Sequence, residues 1–277
     1  MLDTIIKYYD DEFMFHGFIP HIMGTQFNIL IICPSKKKCD ELWVKVSNLL
    51  DYLDKKLNRF DPESEVSYLN SLRPSDFVSV SNELNKILDV CRYYYNQTLH
   101  LFDITRNDFS KLRQEDQKVL FSVPDISLDF GGIAKGYALK IIKEMLQEDG
   151  FDNVFVNFGN SSILGIGHHP YGDCWKIALE NPYSNQQTKI FELRNEALST
   201  SGNSPKYTGH ILNPLTGIYD FSHHSSSVVS PDPLLAEVLS TVMLIANEEQ
   251  KTQIIENFKE VEISFYKSSD FAIEADS

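Results

Sequence analysis

Four short segments rich in β-forming residues follow one another between residues 154 and 201, and turn-forming residues separate them. Gly, Asn, Asp and Pro between such segments favour hairpins, because a parallel crossover needs a long connection. The predicted strands are Val154–Phe158, Trp175–Glu180, Lys189–Leu193 and Leu198–Ser201. With the helices described next, they predict an α+β fold: a mixed, largely antiparallel sheet flanked by helices.

The helices are predicted from amphipathic periodicity and from their caps. Ser35 precedes apolar residues at three- and four-residue spacing, so we expect it to cap a helix that ends near Asn58. Ser81 is expected to cap a second helix, and Pro233 favours a strong helix from about Leu234 to Ala246. A further helix after a glycine-rich turn is expected to bury Ala134, Tyr137, Ala138, Ile141 and Met145. The remaining predicted elements are a first strand at Thr25–Cys33 and, at the end of the chain, a weaker helix and a strand at Val261–Tyr266.

The charge balance argues against several classes of partner. The chain has 277 residues with 25 basic and 39 acidic side chains, a formal net charge of −14. Such a surface repels phosphate backbones, so nucleic-acid binding is disfavoured and any phosphate-bearing ligand must be held locally. The longest nearly unbroken apolar run, Phe27–Cys33, is far shorter than the roughly 20 residues that a membrane helix needs.

The beginning of the chain and its cysteines predict the compartment. Residues 1–15 lack the basic start and apolar run of a signal peptide. Four cysteines are scattered without a C-x-x-C pair, which is typical of reduced thiols used in packing. We therefore expect a cytoplasmic protein. Because neither repeats nor low-complexity segments divide the chain, we also expect one domain over residues 1–277.

The segment Leu128–Gly136 combines two adjacent glycines with a lysine at the start of a predicted helix. Glycines let the backbone approach an anion closely, and the free amide groups of a helix start favour phosphate. The order of residues matches neither a nucleotide P-loop nor a dinucleotide-binding fingerprint. From the residues alone, two interpretations are equally good: a phosphate cradle completed by Lys135, or an ordinary turn with a solvated lysine.

Glu237, Ser240 and Thr241 lie three and four residues apart on the last strong helix, so their oxygens share one face. A carboxylate and hydroxyls can together hold a hard cation such as Mg²⁺. The neighbouring residues are apolar, and a carboxylate buried among them is costly unless it is paired or binds a metal. The alternative, which these residues alone favour, is an exposed Glu237 at the helix start, with Thr241 bonded to a backbone carbonyl.

His210 stands at the entrance of a tight turn marked by Asn213-Pro214 and Thr216-Gly217. Histidine is the side chain best suited to accept a hydroxyl proton near neutral pH. His210 is therefore either a candidate general base or a structural turn residue. The pairs His168-His169 and His223-His224 are expected in exposed loops, with no further ligand spacing to support a metal site.

The candidate segments form an ordered set along most of the chain. They are Met23-Gly24-Thr25, Phe60-Asp61-Pro62 with Ser64-Glu65 and Asn70, Phe102–Thr105, Asp129–Gly136, Glu180-Asn181-Pro182, Thr200-Ser201-Gly202, His210–Gly217, and Ala236-Glu237 with Thr241. Each motif is weak alone, whereas the ordered set is specific. Together, from about residue 23 to residue 246, they resemble the ApbE family of FAD:protein FMN transferases.

The resemblance implies an enzyme that binds FAD and uses Mg²⁺ or another divalent cation. It would transfer the FMN half of FAD to a Ser or Thr hydroxyl of an acceptor flavoprotein and release AMP. The resemblance places FAD contacts at Met23, Phe60, Leu101, Phe102, Asp103, Asp129, Lys135 and Ile211, and metal contacts at Gly132, Glu237, Ser240 and Thr241. His210 is then the candidate catalytic base for the acceptor hydroxyl.

Three departures from the family pattern bear on this expectation. Glu237 stands where the family has Asp, and Thr105-Arg106-Asn107-Asp108 replaces Thr-x-Gly-Pro. Asn160 replaces a second glycine after Gly159, at a position expected to need backbone angles that Asn tolerates. Two other functions therefore stay open: an FAD pyrophosphatase, in which water replaces the acceptor hydroxyl, and a flavin-binding protein without catalysis.

Overall fold

An eight-stranded antiparallel sheet forms the centre of the fold. The computed structural model describes residues 2–73, 75–180, 182–183 and 187–267. In sheet order the strands are β1 (Ile5–Tyr9), β2 (Met14–Ile22), β3 (Thr25–Ile32), β7 (Val154–Phe158), β8 (Ser162–Ile166), β11 (Glu196–Gly202), β14 (His224–Ser230) and β15 (Glu262–Lys267). Every neighbouring pair in this order is antiparallel. The predicted α+β class with a largely antiparallel sheet is confirmed.

The other strands form smaller sheets. These are β4 (Val78–Ser79), β6 (Lys118–Phe121) and β5 (Leu112–Glu115) in that order, β9 (Trp175–Glu180) paired with β10 (Gln187–Leu193), and β12 (Ile211–Asn213) paired with β13 (Ile218–Asp220). The β12–β13 hairpin turns at Asn213, whose carbonyl accepts a hydrogen bond from the Gly217 amide at 2.9 Å. The tight turn predicted after His210 is therefore present.

Six helices accompany these sheets in the part of the chain that the structure describes. They are α1 (Lys36–Leu57), α2 (Glu65–Leu72), α3 (Asn82–Gln97), α4 (Ala134–Glu148), α5 (Pro233–Ile245) and α6 (Glu248–Glu256). Both predicted serine caps are confirmed: the Ser35 hydroxyl accepts from the Lys38 amide at 3.3 Å, and the Ser81 hydroxyl from the Leu84 amide at 3.2 Å. None of the described helices is long and apolar enough to cross a bilayer.

The sequence analysis missed two N-terminal strands, β1 and β2. One face of β2 buries Phe15, Gly17 and Ile19. Gly17 and Pro20 obscure this alternation, because both residue types are depleted in strands. Glycine is nevertheless required at position 17, where a Cβ atom would lie 2.4 Å from the Trp43 ring of α1.

The segment after the first helix, which contains the motif Phe60-Asp61-Pro62 with Ser64-Glu65 and Asn70, includes α2, a helix that the sequence analysis did not predict. The Ser64 hydroxyl caps it by accepting from the Ser67 amide at 3.0 Å. Only Val66 and Leu69 of this helix are buried. Two buried residues give too short a periodic pattern to indicate a helix, so its cap was the only available signal.

Helix α4 buries Ala134, Tyr137 and Ala138 as predicted, but its buried face extends beyond the predicted stripe. Ile142 and Leu146 are fully buried, whereas Ile141 and Met145, expected on the buried side, are half-buried. This helix packs against both α1 and α5. Its buried face is therefore wider than the single stripe used for the prediction.

The turn between β7 and β8 has the geometry expected from its sequence. Gly159 and Asn160 both have positive φ angles, 66° and 59°. Two such residues are typical of hairpin turns whose twist matches the flanking strands. The side-chain oxygen of Asn157 accepts from the Asn160 amide at 2.9 Å, which stabilises the turn.

The core lies on both faces of the sheet. Adjacent residues of β14 point to opposite sides, so Val228 belongs to the main core with α1, α4 and α5, and Val229 to a smaller cluster. That smaller cluster contains Trp175 and Leu193 and lies beneath the β9–β10 hairpin. The four cysteines are free thiols, and Cys33, Cys39 and Cys91 are buried, as expected for packing residues.

Helices α4 and α5 pack very closely at Gly136. A Cβ atom there would lie 2.5 Å from the Cβ of Glu237 and 2.9 Å from the Pro233 carbonyl oxygen. These separations are shorter than a carbon can occupy without displacing one helix. Because Lys135 precedes Gly136, the same contact fixes Lys135 relative to Glu237.

Replacing Gly136 by alanine is expected to lower the free energy of unfolding by about 1–3 kcal/mol, because overpacking outweighs the better helix propensity of alanine. Urea unfolding measures this change. Gly172→Ala is the matched control, since its nearest neighbour atom would lie 3.8 Å from the new Cβ. We expect it to change stability by less than about 0.5 kcal/mol. Equal stability of the two variants would contradict the close helix packing.

Candidate active site

A buried ion pair joins the start of α4, directly after the glycine-rich loop, to α5. The Lys135 ammonium donates to Oε1 of Glu237, whose side chain is only 6% exposed. The other carboxylate oxygen, Oε2, accepts from the hydroxyls of Ser162 at 2.5 Å and Ser199 at 3.0 Å. Both oxygens of Glu237 are therefore satisfied, as a buried charge requires.

A chain of hydroxyls continues from this carboxylate. The Ser240 hydroxyl lies 3.1 Å from that of Ser199 and 2.9 Å from that of Ser201, and Ser201 lies 2.9 Å from the Thr241 hydroxyl. Strand β11 contributes Ser199 and Ser201, and helix α5 contributes Ser240 and Thr241. The structure thus brings together three of the four predicted metal residues, and Glu237 is buried rather than exposed.

Gly132, the fourth predicted metal residue, lies in the loop that leads into α4. A Cβ atom added at Gly132 would lie 4.0 Å from the edge of the Phe102 ring. Gly132 lies three positions before Lys135 in the sequence. Its role as a ligand stays a prediction.

The oxygens of this centre suit a hard cation. Carboxylate and hydroxyl oxygens are the donors that Mg²⁺ accepts in proteins, usually with only one or two carboxylates. The Lys135 ammonium already lies against the carboxylate, which shows that the position accommodates positive charge. The described residues contain no group of three or more His, Cys, Asp or Glu side chains that could hold a metal. The donor types of Glu237 and its neighbouring hydroxyls therefore suit Mg²⁺, and Glu237 is the carboxylate that they provide.

Asp129 opens the glycine-rich loop and pairs with two arginines. Its Oδ2 lies 3.0 Å from Nε of Arg59 and 3.0 Å from a terminal nitrogen of Arg106. The Asn70 side chain holds the preceding residue, accepting from the Leu128 amide at 2.7 Å and donating to its carbonyl at 2.9 Å. One carboxylate between two guanidinium groups leaves a net positive charge at this side of the site.

Asp103 organises its own loop. Its carboxylate accepts from the Thr105 amide at 2.7 Å, the Thr105 hydroxyl at 2.6 Å and the Phe109 amide at 2.9 Å. Burial raises the pKa of Asp103, and these hydrogen bonds oppose the rise. The predicted FAD residues Leu101 and Phe102 are buried. The direct contacts of Asp103 are therefore structural, and its contact with a flavin stays a prediction.

Met23 and Phe60 lie in turns at the end of other elements. Met23 has a positive φ of 49° in the turn between β2 and β3. Phe60 is 78% exposed, and the Arg59 guanidinium lies 4.2 Å from its ring centroid. An exposed ring backed by a cation offers its free face to another aromatic group.

His210 directly precedes β12, where Ile211 is buried. Its ring lies 4.1 Å from the Tyr207 ring. Loss of solvent lowers the pKa of His210; Asp220 opposes this effect, and the charge of Lys135 reinforces it. The lowered pKa favours the neutral form of His210 near pH 7.

The hairpin that follows His210 is tied to the Asp129 loop. Arg106, which pairs with Asp129, also donates to the Tyr219 hydroxyl of β13 at 2.5 Å. Asn203 holds the other side of the same segment through the carbonyls of Asp220 and Ser222 and the Gly209 amide. Hydrogen bonds thus link the Arg106 segment, the Asp129 loop and residues 203–222, which are separated in the sequence.

The sequence analysis did not single out Ser162, Ser199 or Tyr219, and it named Ser201 and Arg106 only within longer motifs. Ser199 and Ser201 alternate along β11, so their shared face was a usable signal. Ser162, Arg106 and Tyr219 carried no comparable signal, because single polar residues in strands and loops are common. Of the motif Glu180-Asn181-Pro182, Asn181 lies outside the described residues.

The fold and the site define a class: α+β proteins in which a lysine from a glycine-rich loop meets a buried carboxylate in a hydroxyl-lined centre. Comparison with known families matches residues 23–119 and 107–265 to the ApbE family. These ranges cover most of the chain, so the chain belongs to the ApbE family.

Individual relatives agree with this assignment. An FAD:protein FMN transferase of Vibrio cholerae serotype O1 is 24% identical over 275 residues, covering 84% of this chain and 82% of that protein. One from Chlamydia pneumoniae is 25% identical, covering 76% and 78%. The solved flavin transferase ApbE from Vibrio cholerae has a TM-score of 0.78 at 21% identity, covering 98% of this chain and 99% of that one. The ApbE protein from Thermotoga maritima has a TM-score of 0.74 at 18% identity, covering 98% of each chain. The structural likeness shows a shared fold.

Removing the Tyr219 hydroxyl is expected to loosen the β12–β13 hairpin. Tyr219→Phe loses a hydrogen bond to Arg106 worth about 1 kcal/mol, so amides of residues 211–220 should exchange roughly five-fold faster. Hydrogen–deuterium exchange measures this effect. Tyr207→Phe keeps the ring against His210 and removes an exposed hydroxyl, so it serves as the control. Unchanged exchange in Tyr219→Phe would show that the link to Arg106 does not stabilise the hairpin.

Proposed function

We propose that this protein transfers the FMN half of FAD to a Ser or Thr hydroxyl of an acceptor flavoprotein, with release of AMP. The observation that carries the proposal is the meeting of Lys135, Glu237 and the hydroxyl network beside the glycine-rich loop. Family membership and relatives named FAD:protein FMN transferase support it. We further propose that residues 1–277 act as one functional domain.

The chemistry required is displacement at phosphorus. The acceptor oxygen forms a bond to the phosphorus of the FMN half, the bond from that phosphorus to the bridging oxygen breaks, and AMP leaves with that oxygen. Such reactions depend mainly on positioning and on neutralising negative charge. Lys135 binds the diphosphate, and the amides at the start of α4 add donors. Bound Mg²⁺ would supply further charge neutralisation, held by Glu237, Ser240, Thr241 and the carbonyl of Gly132.

His210 takes the proton of the acceptor hydroxyl. Its lowered pKa keeps the imidazole neutral at physiological pH, as a base requires. His210 is exposed enough for a protein substrate to approach it, although its neighbours remove part of its solvent. The flavin contacts are assigned to Met23, Phe60 and the Leu101–Asp103 segment, with Asp129 and Ile211 completing the pocket. The cytoplasmic location rests on the four free cysteines, which suit a reducing compartment.

Incubation with FAD, MgCl₂ and a purified acceptor flavoprotein tests the activity. We expect AMP release together with flavin that stays on the acceptor after denaturation. The matched control is the same acceptor with its flavin-bearing Ser or Thr replaced by alanine, which should remain unlabelled. AMP without labelled acceptor would indicate an FAD pyrophosphatase, and neither product would indicate a flavin-binding protein.

His210→Ala is expected to slow transfer by roughly 10²- to 10⁴-fold while FAD affinity stays nearly unchanged. In the wild type, the rate should fall as the pH drops through the lowered pKa of His210, because protonation removes the base. The variant should lack this acid limb. His168→Ala, in an exposed loop, is the control and should transfer at the wild-type rate. Full activity of His210→Ala would leave His210 a structural residue.

A further inference from the structure

The two central residues of the site are each assigned to a different ligand, and yet they bind each other. The proposed reaction uses Lys135 for the diphosphate and Glu237 for a cation. In the structure the Lys135 ammonium contacts Oε1 of Glu237, while Ser162 and Ser199 hold Oε2. Neither residue can meet its assigned ligand fully until this ion pair opens.

Burial makes the ion pair necessary. The side chains of Lys135 and Glu237 are 18% and 6% exposed, so a charged Glu237 without Lys135 would have neither a counter-ion nor much solvent. Such a carboxylate is strongly disfavoured. The tight contact at Gly136 holds the two helices so that the pair can form.

We propose that Lys135 occupies the cation position at Glu237 until a diphosphate draws the ammonium away, so that divalent cation and FAD bind cooperatively. This inference rests on the proposed function, which supplies the diphosphate. An ammonium and a divalent cation at one carboxylate repel each other, so the cation binds poorly while Lys135 is paired. The diphosphate gives the ammonium a new partner and frees Oε1.

The cooperativity is reciprocal. Any factor by which FAD tightens cation binding must equal the factor by which the cation tightens FAD binding. A direct contact between cation and phosphate would also produce cooperativity. The cation affinity of the protein without FAD distinguishes these two causes. Competition by Lys135 weakens that affinity, whereas a direct contact between cation and phosphate leaves it unchanged.

Mn²⁺ binding to the full chain, followed by the electron paramagnetic resonance signal of free Mn²⁺, tests the inference without an activity assay. For the wild type we expect weak binding alone and about ten-fold or greater tightening with FAD. Riboflavin, which lacks the diphosphate, should produce no tightening. Equal Mn²⁺ affinity with and without FAD would overturn the inference.

Lys135→Met removes the competing ammonium, so its FAD-free form should bind Mn²⁺ about ten-fold more tightly than the wild type. Lys140→Met is the matched control. Lys140 also joins α4 to α5, through Asp232 at 2.8 Å, but does not contact Glu237. It should behave as the wild type. Glu237→Gln should lose tight Mn²⁺ binding under all conditions.

Lys135→Arg keeps the charge and provides a second variant should Lys135→Met fail to fold. A guanidinium can hold a carboxylate through two hydrogen bonds, so FAD-free Mn²⁺ binding should become weaker than in the wild type. Wild-type affinity in every folded Lys135 variant would overturn the inference. Flavin transfer is measured separately: if the wild type shows FAD-dependent Mn²⁺ binding but no transfer, the proposed function fails and the inference stands.

Discussion

The burial of one carboxylate, Glu237, determines the organisation of the centre. A charge removed from water must be matched by a counter-ion and hydrogen bonds, and three other elements provide them. Helix α4 supplies the ammonium, β8 and β11 supply hydroxyls, and α5 carries the carboxylate itself. The ion pair also requires the close packing at Gly136, because a larger residue there would separate α4 from α5 and move Lys135 away from Glu237. Stability and chemistry therefore depend on the same contacts.

The surrounding charges complement this centre. The chain carries a net charge of −14 and repels phosphate as a whole. Locally, Arg59 and Arg106 share a single acid, and Lys135 is the cation of the centre. Positive charge is thus concentrated in one region of an otherwise acidic protein. Arg106 also joins this region to the hairpin after His210.

Strong local signals made much of the fold predictable. Periodicity and caps identified α1 and α3, and the strand Val154–Phe158 was predicted at its observed bounds. β2 was missed because Gly17 is dictated by the Trp43 ring, a contact that no local pattern reveals. In the site, helix spacing grouped Glu237 with Ser240 and Thr241. Ser162 could not be predicted, because its position becomes meaningful only when β8 packs against α5. The family motifs supplied the order of the segments but none of the pairings between them.

The sequence distances within the centre have a consequence for synthesis of the protein. Lys135 and Glu237 are 102 residues apart, and Ser162 and Glu237 are 75 apart. A nascent chain can complete the glycine-rich loop long before its acidic partner leaves the ribosome, since domains form as their segments emerge. Until then Lys135 has no Glu237 to neutralise it and α4 has no α5 to cover it. The centre is thus among the last parts of the molecule to assemble, and a truncated product would carry Lys135 and the glycine-rich loop without the carboxylate that pairs with Lys135.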